Sequence, residues 1–273
     1  TGEVLLDEAN KSSTVWTVNY PLIDGKLASE PRKAIMASRR PEEFTDLYLD
    51  VNGVEDFGGL WGLPAGGPLE LRCLVPESRQ QALSMLETVA STCNSTPMLL
   101  ILPQKIGAFR KDQIAPLVNG RPLGIIAEVA GRKRATTDYS FISSSRRIGL
   151  PPGESFSITE FGPARIALVR SRSLIHPEVA VSLSKRGCDL LVTSPVRFDS
   201  DDRLLFGIKC LERAAVAVVA PAGAMVCEPP VGHAPWKEEL MTDFGVCSAC
   251  IDTAVLRGKR FQDRVDMETL LRR

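Results

Sequence analysis

Residues 164–195 constrain the fold more than any other part of the chain, because they read as a strand, a sharp turn, a helix and a second strand. Residues 166–169 are a short apolar run with β-branched residues at both ends, which is typical of a buried strand. Pro177 suits the first position of the helix, and Gly187 is predicted to end it. Residues 189–193 are then predicted as the next buried strand.

Polar side chains follow the first of these two strands directly. Ligands commonly bind at the carboxyl ends of strands in such a unit, and Ser171 holds this position between Arg170 and Arg172. We expect both arginines to be buried there, where an unpaired charge is costly. Each arginine must therefore pair with a nearby acid or line an anion-binding pocket.

Composition indicates a globular protein without a strong electrostatic preference for a partner. With 273 residues, 44% of them hydrophobic and 24% charged, the chain can bury a large core. The formal net charge is zero, so no overall field favours nucleic acid or a membrane surface, and a nucleic-acid partner is not expected from this chain alone. No apolar run approaches the roughly 20 residues of a membrane span.

Cysteine usage predicts reduced thiols and a cytoplasmic location. The seven cysteines are odd in number and scattered, unlike a disulfide framework. Cys247 and Cys250 have the spacing of a metal or redox pair, but they lie in a run that reads as a strand. Residues three apart on a strand point to opposite faces, so we expect no metal site there. The glycine-dense residues 53–67 contain no phosphate-loop signature, and no cofactor is predicted.

The chain is predicted to contain an N-terminal extension or linker, residues 1–68, and a regular α/β domain, residues 69–273. The extension holds weak signals for elements at residues 15–18 and 42–49. The domain opens with a strand, a helix at residues 78–93 and a second strand that ends at Pro103 and Gln104. Ser200 and Asp201 are predicted to cap a later helix that runs to about Glu212, with Leu204, Ile208 and Leu211 on one face.

The central segment resembles the nucleophile region of the carbon–nitrogen hydrolase (nitrilase) superfamily. Placing Pro177 and Glu178 on the family's Pro-Glu, and residues 187–189 on its Gly-Ala-Asp, puts Ser171 at the position of the nucleophilic cysteine. Gln104 falls on the glutamate that acts as general base in the family. An amide cannot accept a proton at neutral pH, so the resemblance implies loss of base function.

The family's catalytic lysine has no clear counterpart. The segment that should hold it is shortened, and it contains no lysine between Lys133 and Pro152. Arg146 or Arg147 could reach the pocket, although neither matches the lysine. The resemblance covers about residues 69–262 through several weak motifs in the family's order.

The resemblance implies a four-layer α-β-β-α sandwich that pairs through an outer helical face into homo-oligomers. Because the nucleophile, base and lysine positions of the family are not retained, we expect a non-catalytic module acting in assembly or regulation. Nitrilase-like domains also occur fused to larger polypeptides, and a chain that starts at Thr1 fits such a piece, with a fused or associated catalytic domain. One alternative is a sensor that binds a small anion through Gln104, Arg170, Ser171 and Arg172 in the vestigial pocket. A third is a rewired amidase with Ser171 as nucleophile.

Overall fold

The computed structural model describes residues 22–23, 26–27, 59, 62–63, 65–131, 137–150, 156–230 and 236–258. The elements expected at residues 15–18 and 42–49 lie outside these residues, as does most of the expected extension. The chain divides into two compact units, Thr1–Pro41 and Glu42–Arg273. In the first unit, strands β1 (Leu22–Ile23) and β2 (Lys26–Leu27) pair antiparallel.

The second unit contains two mixed six-stranded sheets, B and C. In their order across sheet B, the strands are β14 (Gly245–Asp252), β3 (Pro68–Val75), β4 (Met98–Ile101), β5 (Leu123–Ala130), β6 (Thr137–Ile142) and β7 (Arg147–Gly149). In their order across sheet C, they are β13 (Lys237–Met241), β12 (Gly223–Glu228), β11 (Ala215–Ala220), β10 (Leu190–Thr193), β9 (Ala164–Leu168) and β8 (Ile158–Phe161).

The helices lie on the two outer faces, so the expected four-layer α/β sandwich is confirmed. Helices α1 (Arg79–Ser91) and α2 (Lys111–Val118) pack on sheet B. Helices α3 (Ser171–Leu174), α4 (Pro177–Lys185) and α5 (Ser200–Gly207) pack on sheet C. A 3₁₀ helix at Ile208–Glu212 follows α5, and a short helix α6 (Thr253–Leu256) follows β14.

The main core lies between the sheets and is built from the inward residues of both. Leu71 and Ile101 of sheet B and Leu168 and Val192 of sheet C belong to it. Alternation decides which residues enter this core, because successive side chains of a strand point to opposite faces. In β14 the buried residues Cys247, Ala249 and Ile251 alternate with exposed ones.

Local signals placed several element ends correctly. Ser78 caps α1, where its hydroxyl accepts a hydrogen bond from the Gln81 backbone N–H at 3.2 Å. Pro177 opens α4, and Gly187 follows that helix with φ +80°, in the left-handed region that glycine adopts without strain.

The predicted cap of helix α5 was wrong. Its cap is Asp199, whose Oδ1 accepts from the backbone N–H groups of Asp201 and Asp202 at 3.0 Å. Leu204 and Ile208, which were expected to share one face, are 61% and 44% exposed. The side chains that face the core in this region are Phe206 and Cys210, two residues out of phase with the expected stripe.

Candidate functional site

Gln104 lies where the ends of the two sheets meet. It follows β4 of sheet B, and its backbone N–H donates to the Ser194 hydroxyl at 2.7 Å. Ser194 directly follows β10 of sheet C. One hydrogen bond therefore joins the carboxyl ends of β4 and β10 across the sandwich, at the kind of crevice where α/β proteins bind ligands.

Ser171 approaches the same place from the neighbouring strand. Strands β9 and β10 are parallel with Leu168 opposite Val192, and the Val169 N–H donates to the Val192 carbonyl at 2.8 Å. When this register is continued, Arg170 lies beside Ser194, and Ser171 is the next residue along the chain. Ser171 is half-buried and is the first residue of α3. The two positions identified from the resemblance, Gln104 and Ser171, thus lie at the same end of the sandwich.

Ser194 and Tyr139 are site residues that the sequence interpretation missed. The buried Tyr139 hydroxyl donates to the Leu102 carbonyl at 2.7 Å, just before Gln104. Burial raises the pKa of Tyr139, and a hydrogen bond with the Ser194 side chain opposes that rise. In the sequence, Ser194 stands directly after a buried strand and Tyr139 stands in the strand β6. Neither position indicates that the two side chains meet across the sheets.

The loop that carries Gln104 is held on its other side as well. Lys105 has a φ of +70°, which is unusual for a residue with a side chain. Its backbone N–H donates to the Glu128 Oε2 at 3.1 Å, from the neighbouring strand β5. Ser194 and Glu128 therefore fix two successive peptide groups, which orders the backbone around position 104.

The expectation that Arg170 and Arg172 are buried was wrong. Both are exposed, because α3 begins at once after β9 and turns their side chains outward. Burial therefore does not force either guanidinium to find a partner, and neither plugs a buried pocket. Whether they and Ser171 bind a ligand stays a prediction.

Among the described residues, no side chain hydrogen-bonds to the Ser171 hydroxyl. A serine nucleophile needs an adjacent base, and the position closest to that role in the resemblance holds the amide Gln104. Arg146 and Arg147 line a separate cleft beside α2, which neither Gln104 nor Ser171 lines.

The cysteines behave as the alternation of β14 predicts. Cys247 is buried and Cys250 is exposed, so the two thiols point to opposite faces of the sheet. All seven cysteines are free, and five of them are buried. Within the part of the chain that the structure describes, no three His, Cys, Asp or Glu side chains are grouped to hold a metal ion. In the same residues, no helix is long and apolar enough to cross a membrane.

Comparison with known proteins finds similarity at the level of structure. No protein-family model matches the chain, and no curated protein matches its sequence. Nit3 from Saccharomyces cerevisiae, a member of branch 10 of the nitrilase superfamily, is similar with a TM-score of 0.55 and 12% identity. The match covers 70% of this chain and 92% of Nit3.

An amidase from Nesterenkonia sp. is similar with a TM-score of 0.53 and 11% identity, over 77% of this chain and 98% of the amidase. A variant of the Nesterenkonia amidase that carries the acetamide moiety of fluoroacetamide on its active-site cysteine matches with a TM-score of 0.50 and 12% identity, over 76% and 98% of the two chains. The chain therefore has the carbon–nitrogen hydrolase (nitrilase) fold that its sequence resembles.

Proposed function

We propose that this chain is a non-catalytic module with the nitrilase fold, which acts in assembly or regulation within a larger polypeptide or complex. The observation that supports the proposal is the ordered backbone at Gln104, whose N–H donates to the Ser194 hydroxyl at 2.7 Å. The resemblance puts Gln104 at the position of the general base, and its side chain is an amide, which cannot accept a proton at neutral pH.

Two further features support a non-catalytic role. A serine hydroxyl is a weak nucleophile without a base, and no described side chain hydrogen-bonds to Ser171. Arg146 and Arg147, which were considered as replacements for the family's lysine, line another cleft. Each of these roles is worth about a hundredfold or more in rate, and the groups act as a unit. Turnover without all of them is not expected.

The outer helical layer supports self-association. Leu204 and Ile208 lie on α5 and the following 3₁₀ helix with 61% and 44% of their surface exposed, and Val196 before α5 is 63% exposed. Phe206 and Cys210, on the opposite side of these helices, pack on sheet C. The segment from α5 to the 3₁₀ helix therefore has one apolar face that is buried and one that is exposed. An outward apolar stripe on a helix suits contact with a second copy, as the family resemblance implies.

A hydrolysis screen tests the non-catalytic part of the proposal. Wild type, Ser171→Ala and the double variant Ser171→Cys with Gln104→Glu are assayed against a panel of aliphatic amides and nitriles. We expect no turnover by any of them, because the double variant still lacks the cation that stabilises the oxyanion.

The matched comparison is between wild type and Ser171→Ala, because this substitution removes only the hydroxyl oxygen and should not disturb the fold. Turnover by wild type that disappears in Ser171→Ala contradicts the proposal and makes a serine-based amidase the function. Turnover by the double variant alone shows that positions 104 and 171 are sufficient, which contradicts the argument from the lost lysine.

A further inference from the structure

The four edge strands of sheets B and C differ in how well they are protected against further strand pairing. Strand β7 has three residues, β8 has four, and β13 carries Lys237, Glu238 and Glu239. Short strands and charged side chains are devices by which proteins protect sheet edges. Strand β14 has eight residues and contains no proline, lysine or arginine. It is therefore the edge of these two sheets that is best suited to accept another strand.

The register of β14 on β3 shows which backbone groups point to the open side. Asp252 lies opposite Pro68, and the Thr253 N–H donates to the Gly67 carbonyl at 3.0 Å. Hydrogen-bonded pairs alternate with non-hydrogen-bonded pairs along two antiparallel strands, so the odd-numbered residues of β14 bond to β3. The N–H and carbonyl groups of its even-numbered residues therefore point away from β3.

Val246, Ser248 and Cys250 carry these open backbone groups. Within the part of the chain that the structure describes, none of their N–H groups donates a hydrogen bond, and their side chains are exposed. Strand β13, which packs beside β14 from the other sheet, pairs with β12 only. The three residues span about 14 Å of strand, so the open edge matches an extended segment of about five residues.

Acidic side chains surround this open edge. Asp243 lies in the turn before β14, Asp252 is the last residue of β14, and the Glu239 carbonyl accepts the Cys247 thiol at 3.7 Å. All three acids are exposed, and among the described residues none of them is in an ion pair. The cations of the neighbouring strands β3 and β13 are already paired with acids. A strand that approaches this edge therefore meets a negative potential.

We propose that the open edge of β14 binds an extended basic segment of a partner protein, which adds a strand to sheet B. The backbone groups of Val246, Ser248 and Cys250 pair with this segment, and the acids select lysine or arginine side chains on it. A second copy of β14 fits less well, because it would bring its own acids beside these. The edge belongs to sheet B, whereas the exposed apolar stripe lies on helices that cover sheet C. The proposal therefore does not depend on self-association.

Titration calorimetry with a blocked peptide of alternating lysine and valine tests the proposal. A peptide of alternating glutamate and valine is the control for charge. A lysine–valine peptide with N-methylated valines is the control for backbone pairing, because it lacks those N–H donors. We expect only the unmodified lysine–valine peptide to bind, one per chain, with an affinity that falls as salt is added.

Ser248→Pro tests the backbone of the edge directly. Proline is tolerated in an edge strand where its nitrogen faces the open side, so the pairing with β3 should be kept. The change removes a donor and puts the proline ring where the peptide would lie, so it should weaken peptide binding at least about tenfold. The matched control Ser248→Ala keeps the N–H and should leave binding unchanged. Glu239→Gln should weaken binding about threefold.

Hydrogen exchange of the wild type tests the same edge without a substitution. The amides of Val246, Ser248 and Cys250 should exchange fast in the free protein and at least about tenfold more slowly with the lysine–valine peptide bound. Those of Cys247 and Ala249 bond to β3 and should be protected in both states.

The proposal is overturned if the lysine–valine peptide does not bind at millimolar concentration, or if the glutamate peptide binds equally well. Binding that protects none of the three open amides, or that Ser248→Pro leaves unchanged, would also overturn it. An oligomer of the wild type that Ser248→Pro disrupts and Ser248→Ala does not would assign the edge to a second copy, which contradicts a basic partner.

Discussion

At the scale of residues, a buried ion pair between Arg257 and Asp189 holds the segment after α6 against sheet C. The Arg257 Nη2 lies 3.3 Å from the Asp189 Oδ2, and the two side chains are 6% and 0% exposed. Asp189 also accepts the Arg165 backbone N–H at 2.9 Å, and Arg257 donates to the Pro163 carbonyl at 2.6 Å. The pair thereby ties the segment after α6 to the starts of β9 and β10.

Asp189→Asn should lower the free energy of unfolding by about 3–5 kcal/mol, because it removes the negative charge that lies 3.3 Å from the buried Arg257 guanidinium. Urea unfolding followed by circular dichroism measures this loss. Asp112→Asn is the matched control, since its pair with Arg110 has side chains that are 66% and 69% exposed. That change should cost less than about 1 kcal/mol. An equal effect of the two variants would show that burial does not govern the Asp189 pair.

At the scale of elements, α5 and the 3₁₀ helix after it show that a local pattern can define an apolar face without showing which face is buried. Leu204 and Ile208 are four residues apart, and so are Phe206 and Cys210. The two pairs are offset by two residues, or about 200° around a helix, so they lie on opposite sides. Both sets satisfy helical periodicity, and only the position of sheet C decides which one is buried.

The start of α5 gives a prediction at this scale. Asp199→Ala should lower the free energy of unfolding by about 1 kcal/mol, because two backbone N–H groups at the helix start lose their acceptor. Ser200→Ala, one residue along, should change it by less than about 0.5 kcal/mol. Chemical unfolding of the two variants in parallel compares them. A larger loss for Ser200→Ala would assign the cap to Ser200 after all.

At the scale of the whole molecule, the proposed self-association rests on the exposed apolar stripe of the outer helical layer. Light scattering at tens of micromolar should show wild type to be at least a dimer, because Val196, Leu204 and Ile208 present apolar surface on one side of the sandwich. Leu204→Glu with Ile208→Glu should shift the protein to a monomer without unfolding it, since neither side chain contributes to the buried core.

Leu240→Glu is the control for this experiment, because Leu240 is also an exposed apolar residue but lies on the edge strand β13. It should leave the oligomer intact. A monomeric wild type would remove the assembly role from the proposed function. Dissociation by Leu240→Glu alone would move the interface to the strand edge.

The sequence alone indicated many of the elements and their order, because capping, periodicity and alternation act within a few residues, although helix α2 and strand β13 were not predicted. Ser78, Pro177 and Gly187 mark helix ends where the structure has them, and the resemblance placed Gln104 and Ser171 after β4 and β9. Tertiary structure alone decided what meets across the two sheets. The Gln104–Ser194 hydrogen bond joins residues 90 positions apart, and the exposure of Arg170 depends on how α3 leaves β9. Such contacts follow from strand register and sheet packing, which local sequence patterns do not specify.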